Sequence, residues 1–183
     1  MLGLETKRLV LRRFSTSDGA DLFEYLSDPR TVRYEPYDPF TFEAAEAEAA
    51  RRADDPAFWA VCLRDTAKLI GNIYFSKQGP DMFDTWEIGY VFNRSYGGCG
   101  YATEAARRVL KHGFDDCGAH RIEAHCNPEN TPSWKLLERL NMRREGHFLQ
   151  KVFFKRDDNG NPMWHDAYAY GMLDVEWRRF AAE

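Results

Sequence analysis

Arg94-Ser95-Tyr96-Gly97-Gly98-Cys99-Gly100-Tyr101-Ala102-Thr103-Glu104 decides how the chain is read, because it sets three glycines between a strand-like run and a helix-like one. Gly97, Gly98 and Gly100 lack a Cβ and accept positive φ. They let consecutive main-chain N–H groups converge on one anion beside the positive end of a helix dipole. The stretch therefore predicts a phosphate-bearing cofactor held by backbone. It is not a nucleoside-triphosphate loop: no Gly-x-x-x-x-Gly-Lys-Ser/Thr run is present, so the lysine and hydroxyl that a triphosphate and its Mg²⁺ need are missing. Nor is it the dinucleotide fingerprint, since Thr103 stands where Gly-x-Gly-x-x-Gly needs its last glycine. A glycine-rich turn without a ligand is the bland alternative, and the neighbouring segments weigh against it.

Downstream of the loop, Ala102, Ala105, Ala106, Val109 and Leu110 form a stripe at helical spacing, which predicts a helix over 102–116 with Gly118 as its stop. Upstream, the runs 58–63, 68–76 and 85–92 read as strands of an antiparallel meander, separated by polar turns around Asp65 and Lys77 to Asp81. Ile122, Ala124 and Cys126 alternate in a fifth strand, 121–126, which the chain reaches from 85–92 only by crossing over through that helix. Before the meander come a strand over 7–14, a helix over 17–26 with Ser17 as N-cap, and a second helix over 42–52. After the fifth strand, Thr131 is expected to cap a helix with Pro132 in first position and Trp134, Leu137 and Leu140 inward, ending at a left-handed Asn141. Two long strands, 143–154 and 164–173, follow, joined by a hairpin loop through Asp157-Asp158-Asn159-Gly160-Asn161-Pro162. The order predicts a mixed α/β (α+β) domain with a mostly antiparallel sheet of about seven strands.

At 183 residues and 21.3 kDa the chain suits a single domain spanning 1–183. Hydrophobic residues at 44% and charged residues at 30% exclude wholesale disorder. A net charge of −4 argues against a nucleic-acid partner. Met1 to Arg8 lacks the apolar core of a signal peptide, and no later apolar run approaches the ~20 residues that span a bilayer. A soluble, cytoplasmic protein with no membrane partner is expected. Cys62, Cys99, Cys117 and Cys126 include no Cys-x-x-Cys pair, so neither a metal site nor a disulfide framework is expected.

Several segments together resemble the GNAT superfamily of acyl-CoA-dependent N-acetyltransferases, in particular its RimJ/RimL-like branch, across nearly the whole chain. They are Thr6-Lys7-Arg8-Leu9-Val10-Leu11-Arg12, Glu87-Ile88-Gly89-Tyr90-Val91, Gly98 to Ala105, Asn130-x-x-Ser133, and Trp164-x-Asp166 with Glu176-Trp177. The resemblance implies acetyl-CoA as cofactor and CoA as product. The backbone of Gly97, Gly98, Cys99, Gly100, Tyr101, Ala102 and Thr103 would lie around the pyrophosphate. The fourth and fifth strands would splay to admit the pantetheine arm, with Val91 and Phe92 as backbone partners and Asn130 and Ser133 beside it. Two departures from the family pattern stand out. Ser95 occupies the Arg/Gln position of the loop, with Arg94 one residue early, and Leu137 occupies the place where many relatives carry a tyrosine that protonates the departing thiolate.

Acyl transfer to an amine needs a base for the nucleophile and an acid for the leaving sulfur. Glu87, on the strand entering the splayed site, is the candidate base, and Ser133 takes the acid role that the RimL-like branch assigns to its position. His125 faces away from Ile122 and Ala124 and remains outside the catalytic set, as a surface or substrate-facing histidine. Tyr34, Glu35 and Tyr37 lie in the loop where the resemblance implies acceptor contacts. Trp134, Trp164 and Trp177 read as packing residues. The expected reaction is acetylation of a primary amine, with a protein N-terminal α-amine of ribosomal-protein type first. A small amine such as a polyamine or aminoglycoside is the alternative, and a non-catalytic acyl-CoA-binding protein is a third reading. The run 164–173 could either pair across a homodimer or fill the core.

Overall fold

The structure, a computed structural model, describes residues 3–181; Met1 and Leu2, with which the N-terminal segment read above begins, and Ala182 and Glu183 lie outside the described residues. Its strands are β1 (Leu4–Glu5), β2 (Leu9–Arg12), β3 (Phe58–Leu63), β4 (Leu69–Gln78), β5 (Thr85–Phe92), β6 (Arg121–Cys126), β7 (Arg143–Arg156) and β8 (Pro162–Leu173). They form one eight-stranded sheet in the order β1-β2-β3-β4-β5-β6-β8-β7. The helices are α1 (Gly19–Leu26), α2 (Phe42–Ala53), α3 (Tyr101–Lys111), α4 (Thr131–Arg139) and α5 (Asp174–Ala181).

Every pairing is antiparallel except β5 with β6, the parallel pair that the crossover through α3 requires. That pair is short. Thr85, Trp86 and Glu87 meet Arg121, Ile122 and Glu123, and no pairing continues from there. Beyond Glu87 and Glu123 the two strands diverge while each keeps its other neighbour, β4 or β8. The splay expected between the fourth and fifth strands is this gap, with the numbering raised by one because Leu4–Glu5 adds a short strand.

Alternation along the strands feeds two cores. On one face Ile73, Ile88 and Ile122 pack with Ala105, Val109 and Leu110 of α3, Leu136 and Leu137 of α4, and Trp177 of α5. On the other, Ala60, Leu69 and Val91 meet Leu22, Tyr25 and Leu26 of α1 and Ala45 and Ala49 of α2. Truncating a fully buried side chain such as Leu110 to alanine is expected to cost about 2–5 kcal/mol, so α3 and the loop before it are held firmly against the sheet.

Several boundaries differ from expectation for local reasons. Ser15, not Ser17, is the cap, and it caps a 3-10 turn, Thr16–Asp18, that leads into α1: its side chain accepts from the Ser17 N–H, and its own N–H donates to Asp18. Asn130, not Thr131, precedes α4, which moves Pro132 to the second helical position; Leu136 is buried there, and Trp134 packs against the core half-buried. The helix over 102–116 divides into α3 and a wider turn at His112–Asp116, closed by Gly118 at φ 68°. Asn141 takes φ 61° as expected. From Tyr168 to Gly171, β8 is paired on both sides, so that stretch offers no free edge to another copy.

Candidate active site

At the end of β5 the buried Asn93 accepts the Ser95 N–H at 2.9 Å, while Tyr96 donates to the Asn93 carbonyl and Gly97 to that of Arg94. This tight turn sets up the loop that follows. Gly98 and Gly100 take φ of 77° and 79°, in the left-handed region, and Gly100 stands immediately before α3. Among the described residues, the N–H groups from Gly98 to Thr103 have no protein hydrogen-bond partner. Consecutive free donors at the positive end of a helix are what a diphosphate group requires, so the residues fit one. A Cβ on Gly98 would meet no protein atom within 4 Å, so the backbone angle there, not crowding by the protein, calls for glycine.

Thr6 and Arg8 explain why the N-terminal motif accompanies this loop. The Glu104 carboxylate, in the first turn of α3, accepts from the Thr6 hydroxyl at 2.7 Å and from Arg8 Nε at 2.7 Å and main-chain N–H at 3.0 Å. A second nitrogen of Arg8 reaches the Cys99 carbonyl at 2.9 Å, and its guanidinium lies over the Tyr101 ring. Burial acts against the Glu104 charge, but these hydrogen bonds hold its carboxyl below the usual range.

The loop opens onto a cleft of about 1830 Å³, and a smaller cavity of about 200 Å³ occupies the gap between β5 and β6. Tyr34, Glu35, Tyr90, Asn130 and Ser133 line both, so the two are continuous. Val91 and Phe92 line the cleft as expected. Asn93 donates its N–H to Ile70 of β4, so by strand alternation the main-chain groups of Val91 also face β4 and those of Phe92 and Tyr90 face the gap. Arg94, Arg107, Arg108, Lys111 and Arg139 gather around the cleft, giving an acidic chain a local basic field. Among the described residues, one guanidinium nitrogen of Arg108 is buried without a partner.

Glu87 and His125 meet across the gap: Glu87 Oε1 lies 3.2 Å from His125 Nδ1. His125 lines the gap cavity and Glu87 lines neither cavity. On the other face of the sheet the Tyr90 hydroxyl donates to the Ser133 carbonyl at 3.0 Å and lies 3.1 Å from Ser133 Oγ. Burial holds the Tyr90 phenol well above its usual range, so it stays protonated. Leu137 is buried in the core and cannot take a tyrosine's part. Asn130 precedes α4 without using its side chain as a cap, which leaves its amide for the cavities.

Tyr34 lies half-buried and its hydroxyl donates to the Glu129 carbonyl at 3.4 Å. Glu35 is half-buried, and burial, opposed by Arg52 and a hydrogen bond from Tyr37, pushes its carboxyl up to about 7. Tyr37 packs edge-on against Phe40, 5.1 Å between ring centres, and lines neither cavity. Cys99 is exposed and outside the cleft lining; its thiol donates to the Gly97 carbonyl at 3.7 Å within the loop. Residues outside the sequence-derived set are Tyr90, His125, Phe154 and the Arg8–Glu104 clamp. Tyr90, Arg8 and Glu104 stand inside the recognised motifs, but their partners are distant in sequence and no spacing rule connects them.

A sheet opened by one short parallel pair, beside a glycine loop that starts a helix, is the frame of an acyl-CoA-dependent transferase. The chain belongs to the GNAT family: the model described as "Acetyltransferase (GNAT) domain" matches residues 8–143. The uncharacterized N-acetyltransferase YnaD of Bacillus subtilis (strain 168) is 41% identical over 175 residues, 95% of this chain and 98% of that protein. A crystal structure of a GNAT-family acetyltransferase from Bacillus anthracis superposes with a TM-score of 0.86 at 37% identity, covering 95% of this chain and 99% of that one. The [Ribosomal protein uS5]-alanine N-acetyltransferase of Escherichia coli (strain K12) is more distant, 22% identical over 185 residues, 95% of this chain and 92% of that protein. The chain is thus a GNAT-type N-acetyltransferase, and the likeness to the RimJ/RimL-like branch is the weaker one. Among the described residues no helix is long and apolar enough to cross a membrane.

Proposed function

We propose that the protein transfers an acetyl group from acetyl-CoA to a protein or peptide N-terminal α-amine. The observation that carries this reading is the row of free N–H groups from Gly98 to Thr103, at the mouth of a cleft that shares Tyr90, Asn130 and Ser133 with the gap cavity. Bound there, acetyl-CoA supplies an acetyl group already activated as a thioester. Gly98 to Thr103 hold the diphosphate, the gap-facing main chain of Phe92 aligns the pantetheine arm, and the free amide of Asn130 supports it. Ser133, its hydroxyl beside that of Tyr90, is placed to donate a proton to the leaving sulfur. Glu87 and His125, on the opposite face, serve the amine.

The α-amine is favoured because its pKa of roughly 7.7–8.0 leaves a usable neutral fraction near neutrality, and because a relative spanning 95% of the chain carries that activity in its name. One observation supports a small cationic amine instead: Glu35 lines both cavities.

Thermal unfolding with and without acetyl-CoA, followed by thiol release across a panel of peptides and small amines, tests the proposal. Stabilisation is expected, with thiol release that depends on a free peptide N-terminus. Release with polyamines and none with peptides would move the acceptor to the small-amine class. Stabilisation with no release from any amine would make the chain an acyl-CoA-binding protein.

A further inference from the structure

Resting on that reading, we propose that His125 is the group that takes the proton from the acceptor amine, and that Glu87 is a positioning residue which fixes the imidazole for this task. The first observation is one of access. His125 lines the gap cavity together with Tyr34, Glu35, Ser133 and Phe154, whereas Glu87 lines neither cavity. An amine entering the gap therefore meets imidazole before carboxylate.

The second observation concerns the hydrogen. A carboxylate only accepts, so a hydrogen bond across the 3.2 Å between Glu87 and Nδ1 assigns the hydrogen to Nδ1. Nε2 is then left with its lone pair free, the tautomer a base needs, by the logic of a carboxylate–histidine pair in which the acid orients the base. The fold makes this arrangement in a simple way. Glu87 and Glu123 are the last residues paired across β5 and β6, and His125 lies two residues further along the same face, where the strands have separated. A side chain leaning back from that position reaches Glu87 without closing the gap.

The charged surroundings suit a neutral imidazole that can gain a proton. The hydrogen bond to Glu87 is the largest influence and raises the His125 pKa above 6.5. Burial opposes it, Glu123 on β6 adds to the rise, and Lys151 on β7 opposes it. From β8 the residue opposite is Ala169, which has no charge, and Glu35 faces the same cavity from the loop between α1 and α2.

The step balances. The amine lone pair forms the C–N bond, the C–S bond breaks with its electron pair left on sulfur, and the proton lost by nitrogen moves to Nε2. Sulfur gains one proton, from Ser133 or solvent, and His125 returns its own to water. Amide and thiol leave in equal numbers.

Two measurements test the assignment. Heteronuclear NMR titration of the imidazoles, on the protein without ligand, should place His125 above 6.5 in the wild type and move it down in Glu87→Gln. In turnover at saturating peptide, His125→Gln should lower kcat about 100-fold or more, with stabilisation by acetyl-CoA unchanged. Glu87→Gln should lower kcat about tenfold and carry the acidic limb of the kcat profile to lower pH in step with the NMR value. The double variant should be no worse than His125→Gln alone. Retention of kcat within about twofold in His125→Gln, together with a loss of about 100-fold in Glu87→Gln, would overturn the assignment and return the base to Glu87. Absence of both stabilisation and thiol release in the wild type would instead defeat the proposed function, while the NMR titration would still decide whether Glu87 sets the imidazole.

Discussion

The two joined cavities are constructed from different materials. The phosphate end of the cleft is made by main chain within one short stretch, Asn93 to Thr103, whose φ angles and free N–H groups form the binding surface. The gap cavity is made by side chains from separate segments, Tyr34 to Pro36, Ile88 to Tyr90, Ala124 to Asn127, Asn130, Ser133 and Phe154. A backbone site tolerates drift in its side chains and fails when a backbone angle is denied. A side-chain site can be retuned one residue at a time. A protein organised in this way can change its amine while keeping its acyl donor, and variants on one side should leave the other side's readout intact.

The largest effect is expected on the backbone side. Gly98→Val places a β-branched residue at φ 77°, which costs about 1–3 kcal/mol or displaces the loop, so calorimetric titration should find acetyl-CoA bound about 100-fold more weakly. Gly118→Val is the control. It too has positive φ with nothing within 4 Å, but it lies outside the cleft lining, so it should lower the unfolding temperature and leave affinity unchanged. Equal affinity in Gly98→Val and the wild type would break the comparison at once.

Next comes the shared wall. Ser133→Ala should reduce kcat about tenfold, the effect of losing a hydrogen bond of ~1.4 kcal/mol in the transition state, with stabilisation by acetyl-CoA nearly intact. Unchanged kcat with a large loss of stabilisation would move Ser133 wholly to the donor side.

How much of this was legible follows the same division. The glycine loop, α3 and the parallel crossover could be read because each is written locally: Gly98 and Gly100 by φ, Ala105 to Leu110 by spacing, Ile122 and Ala124 by alternation. The short β1 carries too few residues for any period, and α5 was hidden behind the apolar end of β8. The gap was harder. Glu87 and His125 are 38 residues apart, and Tyr90 and Ser133 are 43 apart, so only the folded sheet brings each pair together. Tyr37 shows the reverse error: an aromatic beside Tyr34 and Glu35 in sequence turns inward against Phe40.

A smaller effect separates the loop from its clamp. Arg8→Gln removes the bonds to Glu104 and to the Cys99 carbonyl from a side chain that is 42% exposed, and exposed pairs of this kind contribute about 0.2–1 kcal/mol. Acetyl-CoA affinity should fall by roughly two- to fivefold. A fall as deep as that of Gly98→Val would mean that the N-terminal segment, and not the glycines, determines the loop's shape.

The smallest effect on donor binding is expected on the acceptor side, where the change appears instead as a pH dependence of stability. Burial lifts the Glu35 carboxyl from an ordinary 4.5 to about 7. The folded chain therefore holds this proton more tightly than the unfolded chain does. The stability so gained is complete below pH 4.5 and is lost as the pH rises through about 7. Glutamine at the same place has no proton to lose. The unfolding temperature of Glu35→Gln minus that of the wild type should therefore be more positive at pH 8 than at pH 5, by about 2–4 °C for each kcal/mol at this chain length. A difference that stays flat between those values would place the carboxyl in water, and the cation-attracting role of Glu35 would lose its basis. In either case the increment in unfolding temperature from saturating acetyl-CoA should be the same for variant and wild type at each pH, because the diphosphate is held at the glycine end of the cleft by main chain that does not titrate.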